Sequence, residues 1–495
     1  MRTIFILMDS LNRHMLKSYN PHSWVKTPNI DRLADQSISF DNHWAGSLPC
    51  MPARRDLFTG CFNFLERGWG PIEPFDITFQ KRLRAYGIFT HLVTDHYHYF
   101  ELGGENYCQQ FNTWDFIRGQ EYDPWVSRVD QPALPESHYG KISAQYELNC
   151  SRFHSDADYP SPRTFASACE WLESNREAQS FFLMVEAFDP HEPFDCTKEF
   201  LDLYENEDEY TGPHYNWSGY KPVDVPYAAI THLRKRYAAT LSMNDKWLGK
   251  LLDTIDQLDM DKDTTIILTT DHGHLLGEHN FIGKNEPHVY NEIAHLPLFI
   301  RLPGGERAQE HVSTLTQTVD LMPTILDLYG IPLPERLHGR SIHPILIGGD
   351  QEESVRDYAI YGYHGKAVNI TDGVYTYFRA PVIGNSPCFS YCGIPTTLWS
   401  FLATERASQF EVGRFLTYTD HPVYKIPMHG TKHELIEVSQ LFHIQRDYGQ
   451  RSPIHDKDEE EKWMKRLSLA LHEYSAPEEQ WKRLGLERQH PVSNT

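Results

Sequence analysis

The stretch Thr3-Ile4-Phe5-Ile6-Leu7-Met8, followed directly by Asp9-Ser10, is the part of this 495-residue sequence that first indicates its fold. The run is apolar on both of its faces, which is typical of a strand buried inside a sheet. It is too short for a membrane helix, which needs about 20 apolar residues, or for a secretory signal peptide. We therefore predict that it is the first strand of an interior sheet, with Asp9 at its carboxyl end.

Similar apolar runs alternate with helical patterns through the first 350 residues. The further predicted strands are Ile88–Thr94, Phe181–Ala187, Thr265–Thr270 and Leu298–Leu302. Helix starts are predicted at Thr27-Pro28 and Ser161-Pro162, where a hydroxyl precedes proline, and helices over Thr78–Tyr86, ending at Gly87, and Ala228–Leu258. Such alternation predicts an open α/β sheet covered by helices on both faces.

After about residue 350 the pattern changes. Tyr358–His364 and Ala367–Arg379 predict antiparallel strands, the second folding back at Asp372-Gly373, and Asp456–Glu473 predicts a helix. We therefore predict an α/β domain over residues 1–350 and a smaller α+β subdomain with an antiparallel sheet over 351–495. Residues 120–160 are loop-rich and predict a pocket wall, and 381–430 is a candidate arm.

Composition narrows the class of protein. Apolar residues make up 40% and charged residues 23%, which is typical of a globular chain. The formal net charge of -22 disfavours binding to nucleic acid or to an anionic membrane surface, although a small anionic substrate remains compatible with it. Eight scattered cysteines and the absence of a visible signal peptide predict reduced thiols and a cytoplasmic location.

Polar groups follow three of the predicted strands, at the edge where ligands bind in open α/β sheets. Asp9 follows the first strand, Asp271-His272 follows another, and His191 comes shortly after a third. Carboxylates and imidazoles together are metal ligands. Each also has an ordinary alternative: Asp9 as a turn cap, Asp271-His272 as a solvated turn, and His191, between two prolines, as a rigid loop residue.

The segment Leu48-Pro49-Cys50-Met51-Pro52-Ala53-Arg54, continuing to Leu57-Phe58-Thr59-Gly60, carries the strongest signal. Pro52 suits the first turn of a helix, so Cys50 is expected at the positive end of that helix. This setting lowers a thiol pKa and favours an anion, and Arg54 lies one turn onward. For an isolated cysteine, a buried structural thiol would be the default interpretation.

The complete string resembles the signature of the sulfatase family. The resemblance extends to separate segments further along the chain: Asp189–Phe194, Asp271-His272-Gly273, Leu276–His279, Gly283-Lys284, Asp320–Thr324, His338–Ser341 and Leu441–Asp456. It implies the alkaline phosphatase-like fold, in which a large mixed, mostly parallel sheet is sandwiched by helices and accompanied by a smaller C-terminal α+β subdomain.

The resemblance also implies roles for particular residues. Cys50 would be oxidised to formylglycine by a separate maturation enzyme. Asp9, Asp271, His272 and position 50 would bind one divalent cation, with Ca²⁺ expected and Mg²⁺, Mn²⁺ or Zn²⁺ as alternatives. Three further residues would assist the reaction: Arg54 would stabilise charge at the nucleophile, Lys284 would contact the transferred group, and His191 would protonate the leaving alcohol.

Two departures from the family pattern bear on the reaction. Ser10 stands where many sulfatases have a second aspartate, and Val93–Tyr99 lacks the usual lysine, with Asp95 or His96 near its place. Related phosphonate monoester and phosphodiester hydrolases share both departures. We therefore predict a hydrolase of a small or carbohydrate sulfate monoester, with phosphonate monoester or phosphodiester hydrolysis, or non-catalytic anion or sugar binding, as alternatives. The residues predicted to bind substrate are Lys284, His96, Tyr97 and His98, with Tyr99 and Trp69 as further candidates; the alcohol and the oligomeric state are left open.

Overall fold

The computed structural model describes residues 1–130, 132–206, 209–285, 288–348, 355–402, 404–428 and 438–489. The predicted domain boundary at residue 350 lies outside these ranges, so the division of the chain into two units stays a prediction. Among the described residues, no helix combines the length and the apolar character that crossing a membrane requires.

The central sheet has eight strands. In spatial order they are His311–Val312, Ile38–Phe40, Leu298–Arg301, Thr264–Thr269, Arg2–Met8, Phe181–Ala187, Phe89–Thr94 and Thr113–Phe116. Pairing is parallel throughout except around Leu298–Arg301, which runs antiparallel to both of its neighbours. The predicted strands are confirmed to within a residue or two, and the sheet is mixed and mostly parallel, as expected.

Helices cover both faces of this sheet. Along the first strand, Ile4 and Ile6 pack into one apolar cluster and Phe5 and Leu7 into another, on opposite faces. Burying one such side chain stabilises the fold by about 1.5–3 kcal/mol, which is why the run is apolar at every position. The first cluster includes helices Pro28–Asp35, Pro160–Ser174 and Tyr227–Gln257; the second includes Cys50–Thr59, Phe79–Ala85, Leu321–Leu328 and His343–Leu346.

One of the two predicted helix starts is confirmed, and the other lies earlier in the chain than predicted. The helix Pro28–Asp35 begins directly after Thr27, although the Thr27 side chain makes no capping hydrogen bond. The helix predicted to start at Ser161-Pro162 begins at Pro160, so Ser161 lies inside it. The Ser161 hydroxyl donates instead to Asp95, 2.6 Å away, because the end of the neighbouring strand offers it a buried carboxylate.

A second sheet has five strands and is mostly antiparallel. In spatial order they are Gln440–His443, Tyr375–Arg379, Val368–Thr371, Ala359–Tyr363 and Ser47–Leu48. Helices Lys457–Glu473 and Glu479–Leu484 pack against it, and Asp456 caps the longer one through the amides of Asp458 and Glu459. The predicted turn at Asp372-Gly373 is confirmed. The edge strand Ser47–Leu48 pairs parallel to Gly362–Tyr363, so the residues just before Cys50 belong to this C-terminal sheet.

Smaller elements complete the fold. The remaining helices are Ala144–Cys150, Lys198–Leu201 and Asn291–Ala294. Three short sheets comprise Leu275–Leu276, Phe281–Gly283 and Lys221–Pro222; His295–Leu296, His43–Trp44 and Thr316–Gln317; and Phe389–Cys392, Val423–Pro427 and Glu411–Gly413. The last of these lies within the predicted arm, residues 381–430, of which 403 and 429–430 are outside the described residues.

Candidate functional site

Two neighbouring parallel strands of the central sheet are each followed by a carboxylate, and the two carboxylates lie at the same edge of the sheet. Asp9 follows the first strand and Asp271 follows the parallel strand beside it, with His272 next in sequence. Cys50 approaches from the start of its own helix. One ligand atom from each of the four side chains lies within 4.8 Å of the other three, the only such cluster in the part of the chain that the structure describes. The structure thus brings together all four residues predicted to hold a metal.

The protonation states in this cluster suit a divalent cation. Burial alone would raise the pKa of Asp9, but the positive charges of Arg54 and Lys284 hold it below its usual range. Burial lowers the pKa of His272, which favours the neutral imidazole that binds metals. Its Nδ1 bonds a backbone carbonyl at 2.9 Å, which leaves Nε2 facing the Cys50 sulfur at 3.2 Å.

Cys50 is buried at the start of its helix, and its pKa differs from the sequence-based expectation. The helix end was expected to lower the thiol pKa. Burial and the carboxylates of Asp9 and Asp271 instead raise it well above its usual value, although Lys284 and Arg54 act in the opposite direction. The expectation is therefore wrong, because desolvation of the sulfur outweighs the helix end. As an unmodified thiol, this residue is not poised as a thiolate.

Arg54 is completely buried and surrounded by carboxylates. Its guanidinium donates to Asp9 at 2.8 Å, to Asp271 at 2.7 Å and to Glu186, and it also reaches the Cys50 carbonyl at 3.2 Å. Its direct contacts are therefore with two carboxylates of the metal cluster and a third behind them. This geometry fixes the orientation of those carboxylates and offsets part of their negative charge.

Lys284 also reaches this cluster. Its ammonium donates to the Ser10 hydroxyl at 3.0 Å and lies 3.6 Å from the Cys50 sulfur and 3.8 Å from Asp9. Burial acts to lower its pKa, but the nearby carboxylates of Glu192 and Asp9 raise it overall, so the side chain is charged. Ser10 in turn donates to Asp9 at 2.8 Å. A positive charge thus lies directly beside the position 50 side chain.

His191 lies after the strand Phe181–Ala187 and is buried. Its Nδ1 is 2.6 Å from the Glu192 carbonyl oxygen, 3.5 Å from the Glu192 carboxylate and 3.7 Å from the Glu121 carboxylate. Burial lowers the pKa of His191 to about 3, helped by Lys284 and opposed by the two carboxylates. The pKa therefore lies below the near-neutral value that is usual for histidine, because the ring is fully desolvated. An anion bound nearby would favour the imidazolium.

The segment that departs from the family pattern contributes two histidines with different surroundings. His96 is fully buried, and neither ring nitrogen has a hydrogen-bond partner in the described residues. Burial and the neighbouring cations Arg54, His98 and Lys284, with His191, lower its pKa well below the usual value. His96 is therefore a neutral ring with unused donor and acceptor atoms beside the cluster.

His98 is held between two carboxylates. Its Nδ1 lies 3.1 Å from Glu101 and its Nε2 lies 3.3 Å from Glu121. Burial acts to lower the pKa, but these carboxylates raise it to about 9, so the ring is an imidazolium. The Tyr97 ring packs on His98 at 4.2 Å and the Trp69 ring meets it edge-on at 5.2 Å. Both nitrogens of His98 face protein carboxylates, whereas those of His96 do not.

Comparison with known proteins identifies the family. Residues 2–331 match the family model described as Sulfatase. The chain belongs to the sulfatase family. It is therefore a hydrolase, and the resemblance noted from its motifs is confirmed.

Among relatives of this sulfatase, the uncharacterized sulfatase YidJ of Escherichia coli (strain K12) is 28% identical over 68% of this chain and 70% of its own length. The choline-sulfatase of Rhizobium meliloti (strain 1021) is 26% identical over 76% of this chain and 77% of its own length. The fold is shared with the crystal structure of a phosphonate monoester hydrolase of Agrobacterium radiobacter, with a TM-score of 0.67, 18% identity, and coverage of 96% of this chain and 95% of that one.

Asp95, near the position where the resemblance implies a lysine, has a structural role in this sulfatase. Asp95 accepts hydrogen bonds from Ser161 at 2.6 Å, from Gln120 at 2.8 Å and from the Phe188 amide at 2.7 Å. Its carboxylate therefore ties together a strand end, a helix and two loops. The ring nitrogens of the next residue, His96, have no hydrogen-bond partner among the described residues.

Two carboxylates near the cluster of this sulfatase were not predicted from the sequence. Glu186 interrupts an otherwise apolar strand, and that interruption was the signal; it accepts from Arg54, from Thr94 at 3.1 Å and from Tyr99 at 3.2 Å. Tyr99, a further candidate for substrate binding, is thus engaged behind the cluster. The second missed carboxylate, Glu121, lies in the loop-rich segment 120–160 predicted to form a pocket wall.

Proposed function

We propose that this sulfatase hydrolyses a sulfate monoester through a nucleophile derived from Cys50. The observation that carries the proposal is the buried cluster of Asp9, Cys50, Asp271 and His272, with the Lys284 ammonium 3.6 Å from the Cys50 sulfur. It combines hard oxygen ligands, a modifiable side chain and a positive charge at one point. An anionic ester entering this site would meet all three.

The proposed cofactors are one divalent cation and a formylglycine made from Cys50. Asp9, Asp271 and His272 would hold the cation together with position 50. The carboxylates favour Ca²⁺ or Mg²⁺, and the imidazole is compatible with Mn²⁺ or Zn²⁺. When bound, these two groups supply Lewis-acid charge and an oxygen nucleophile that can later be released from the sulfuryl group.

The protein side chains have separable tasks in this proposal. Lys284 binds an oxygen of the transferred group and stabilises the charge that builds up on it. His96 offers a ring nitrogen to the same anion, because neither of its nitrogens is otherwise engaged. His191 gives a proton to the leaving alcohol from Nε2. Arg54 holds the two ligand carboxylates in place and supports position 50 through its carbonyl oxygen.

The proposed substrate is a small-molecule or carbohydrate sulfate ester, and the proposed partner is an enzyme that oxidises Cys50. Tyr97 and His98, near the acid His191, are proposed to face the alcohol. Since Cys50 is 2% exposed, the folded chain offers this partner very little of the thiol. Oxidation before the site closes is therefore part of the proposal.

Replacing the nucleophile precursor tests this function. Cys50→Ala is expected to abolish hydrolysis of aryl and alkyl sulfates, whereas Cys61→Ala, which removes another buried thiol outside the cluster, keeps it. Peptide mass spectrometry at residue 50, after co-expression with a maturation enzyme, is expected to show the aldehyde or its hydrate. A fully active Cys50→Ala variant, or an active enzyme holding only the thiol, would refute the proposal.

A phosphonate monoester or phosphodiester is the second candidate substrate. The observation in its favour concerns Asp95, which lies near the place where the resemblance implies a lysine. This side chain is a carboxylate that accepts hydrogen bonds from Ser161 and Gln120, so it does not supply the positive charge of that lysine. All three esters carry a single negative charge at the transferred group. Rates on matched sulfate and phosphonate monoesters of one phenol distinguish them: a much higher kcat/KM on the phosphonate would overturn the sulfate assignment.

A further inference from the structure

Glu121 is a buried carboxylate with an unusual backbone conformation. Its φ angle is +40°, in the left-handed region that non-glycine residues seldom adopt. Such conformations persist where the surroundings over-determine them, and they concentrate at functional sites. The preceding residue supplies this constraint: the Gln120 amide donates to Asp95 at 2.8 Å and to Asp189 at 3.3 Å. The loop therefore holds the Glu121 side chain at a fixed place.

That place is between two histidines. The Glu121 carboxylate lies 3.7 Å from His191 Nδ1 through one oxygen and 3.3 Å from His98 Nε2 through the other. His191 Nδ1 also lies 2.6 Å from the Glu192 carbonyl oxygen. A carbonyl oxygen only accepts, so Nδ1 carries the proton. Nε2 is then the nitrogen that can face a substrate, and the Glu121 charge lies on the far side of the ring from it.

We propose that Glu121 is a positioning residue that stabilises positive charge on His191 while His191 acts as the acid. This inference rests on the proposed function. As the ester's sulfur–oxygen bond breaks, its electron pair stays on the alcohol oxygen. That oxygen takes the Nε2 proton, while the attacking oxygen, which has given its own proton to solvent, forms the new bond to sulfur. His191 passes from imidazolium to imidazole and is reprotonated from water.

The charges around the ring explain why this support is needed. Lys284 and burial both disfavour the imidazolium of His191. Glu121 and Glu192 are the carboxylates that oppose them, and Glu192 is also engaged by Tyr220 and lies 3.3 Å from His274. The role of Glu121 is therefore to stabilise the imidazolium form of His191 against the positive charge of Lys284.

The chain provides a matched control. Glu101 faces the other nitrogen of His98 at 3.1 Å, and in the described part of the chain it makes no ion pair with His191. Glu101→Gln and Glu121→Gln each remove one carboxylate charge from His98 while preserving side-chain shape. Only Glu121→Gln also removes a charge from beside His191.

The test uses the full-length matured enzyme and two sulfate esters. 4-Nitrophenyl sulfate releases a phenol that leaves as the anion, whereas a primary alkyl sulfate releases an alcohol that needs a proton. General acid catalysis contributes about 10²–10⁴-fold where protonation is required. Glu121→Gln is therefore expected to lower kcat/KM on the alkyl ester by roughly 10- to 100-fold and on the nitrophenyl ester by less than about 3-fold. Glu101→Gln is expected to change neither by more than about 3-fold.

Calorimetric binding of inorganic sulfate gives a readout that does not depend on turnover. Glu121→Gln is expected to bind sulfate at least as tightly as the parent enzyme, because it removes a negative charge. Equal losses on the two esters, the same pattern in Glu101→Gln, or weakened sulfate binding would overturn the role of Glu121 and leave the proposed function standing. A parent enzyme inactive on both esters would overturn the proposed function and this inference with it.

Discussion

Replacing Arg54 with methionine removes the charge that holds three buried carboxylates together. Asp9 and Asp271 each lie less than 3 Å from the guanidinium, and Glu186 contacts it from behind. All three are inaccessible to water. In the Arg54→Met variant without metal, the negative charges of these carboxylates would face one another. Lys284, whose ammonium lies 3.8 Å from Asp9, would be the buried cation that remains at the cluster.

The size of the effect follows from Coulomb's law and desolvation. With about 4 Å between charge centres and an effective dielectric of about 20, each carboxylate gains about 4 kcal/mol from Arg54. The desolvation already spent on four buried ions offsets much of that sum. Removing one partner of a buried ion pair costs about 3–5 kcal/mol, because the remaining charge is uncompensated. With an m value of about 4 kcal/mol/M for a chain of this size, the urea midpoint should fall by about 1 M.

The assay is urea denaturation followed by circular dichroism in EDTA and in excess Ca²⁺. Arg55→Met is the control, since Arg55 is equally buried but donates to the Gly68 carbonyl and makes no carboxylate ion pair among the described residues. Arg54→Met should be the less stable variant in EDTA, and Ca²⁺ should narrow the gap by compensating Asp9 and Asp271. Equal midpoints for the two variants in EDTA would refute the reasoning.

Three further predictions concern the metal, the pH and a close contact. Ca²⁺ at a hundred times its Kd should stabilise the protein by about 3 kcal/mol; Asp271→Asn should lose this gain and Glu186→Gln should keep it, and a gain retained in Asp271→Asn contradicts the site. Burial lowers the pKa of His43 to about 3, so the unfolded chain takes up a proton below pH 6.5 that the native state refuses. Stability is therefore lost as pH falls, by about 1.4 kcal/mol between pH 7.5 and 5.5. His43→Gln should remove this share of the slope in urea midpoints, and an unchanged slope counts against it. A Cβ on Gly46 would lie 2.3 Å from an Asp56 oxygen that accepts the Ser47 amide, so Gly46→Ala should cost about 1–3 kcal/mol in thermal or urea unfolding, and wild-type stability would contradict this.

The central sheet and the metal cluster were predictable because local signals coincide there. The apolar runs before Asp9 and Asp271 identify two interior strands, and in a parallel sheet such strands end at one edge. In the Cys50 segment, Pro52 predicts the first turn of the helix that begins at Cys50. The strand ends place Asp9, Asp271 and His272 near one point without knowledge of any long-range contact, and the resemblance to the sulfatase signature adds Cys50 to them.

Other features depend on contacts that sequence periodicity does not encode. Glu186 is one polar residue within an apolar strand, and its role is evident only from its ion pair with Arg54. Glu121 lies in a loop without periodicity. The predicted lowering of the Cys50 thiol pKa was wrong because a helix end is a local property, whereas the depth of burial is set by the whole fold.

The pairing of Ser47–Leu48 with Gly362–Tyr363 has a consequence for the order of events during synthesis. The ribosome makes the segment before Cys50 roughly 300 residues ahead of the strand that it pairs with. At about 5–20 residues per second, this separation amounts to about 15–60 s. During that interval the strand that pairs with Ser47–Leu48 does not yet exist, so the segment leading to Cys50 lacks its native partner. The proposed oxidation of Cys50 would fall within this interval, before the last third of the chain folds.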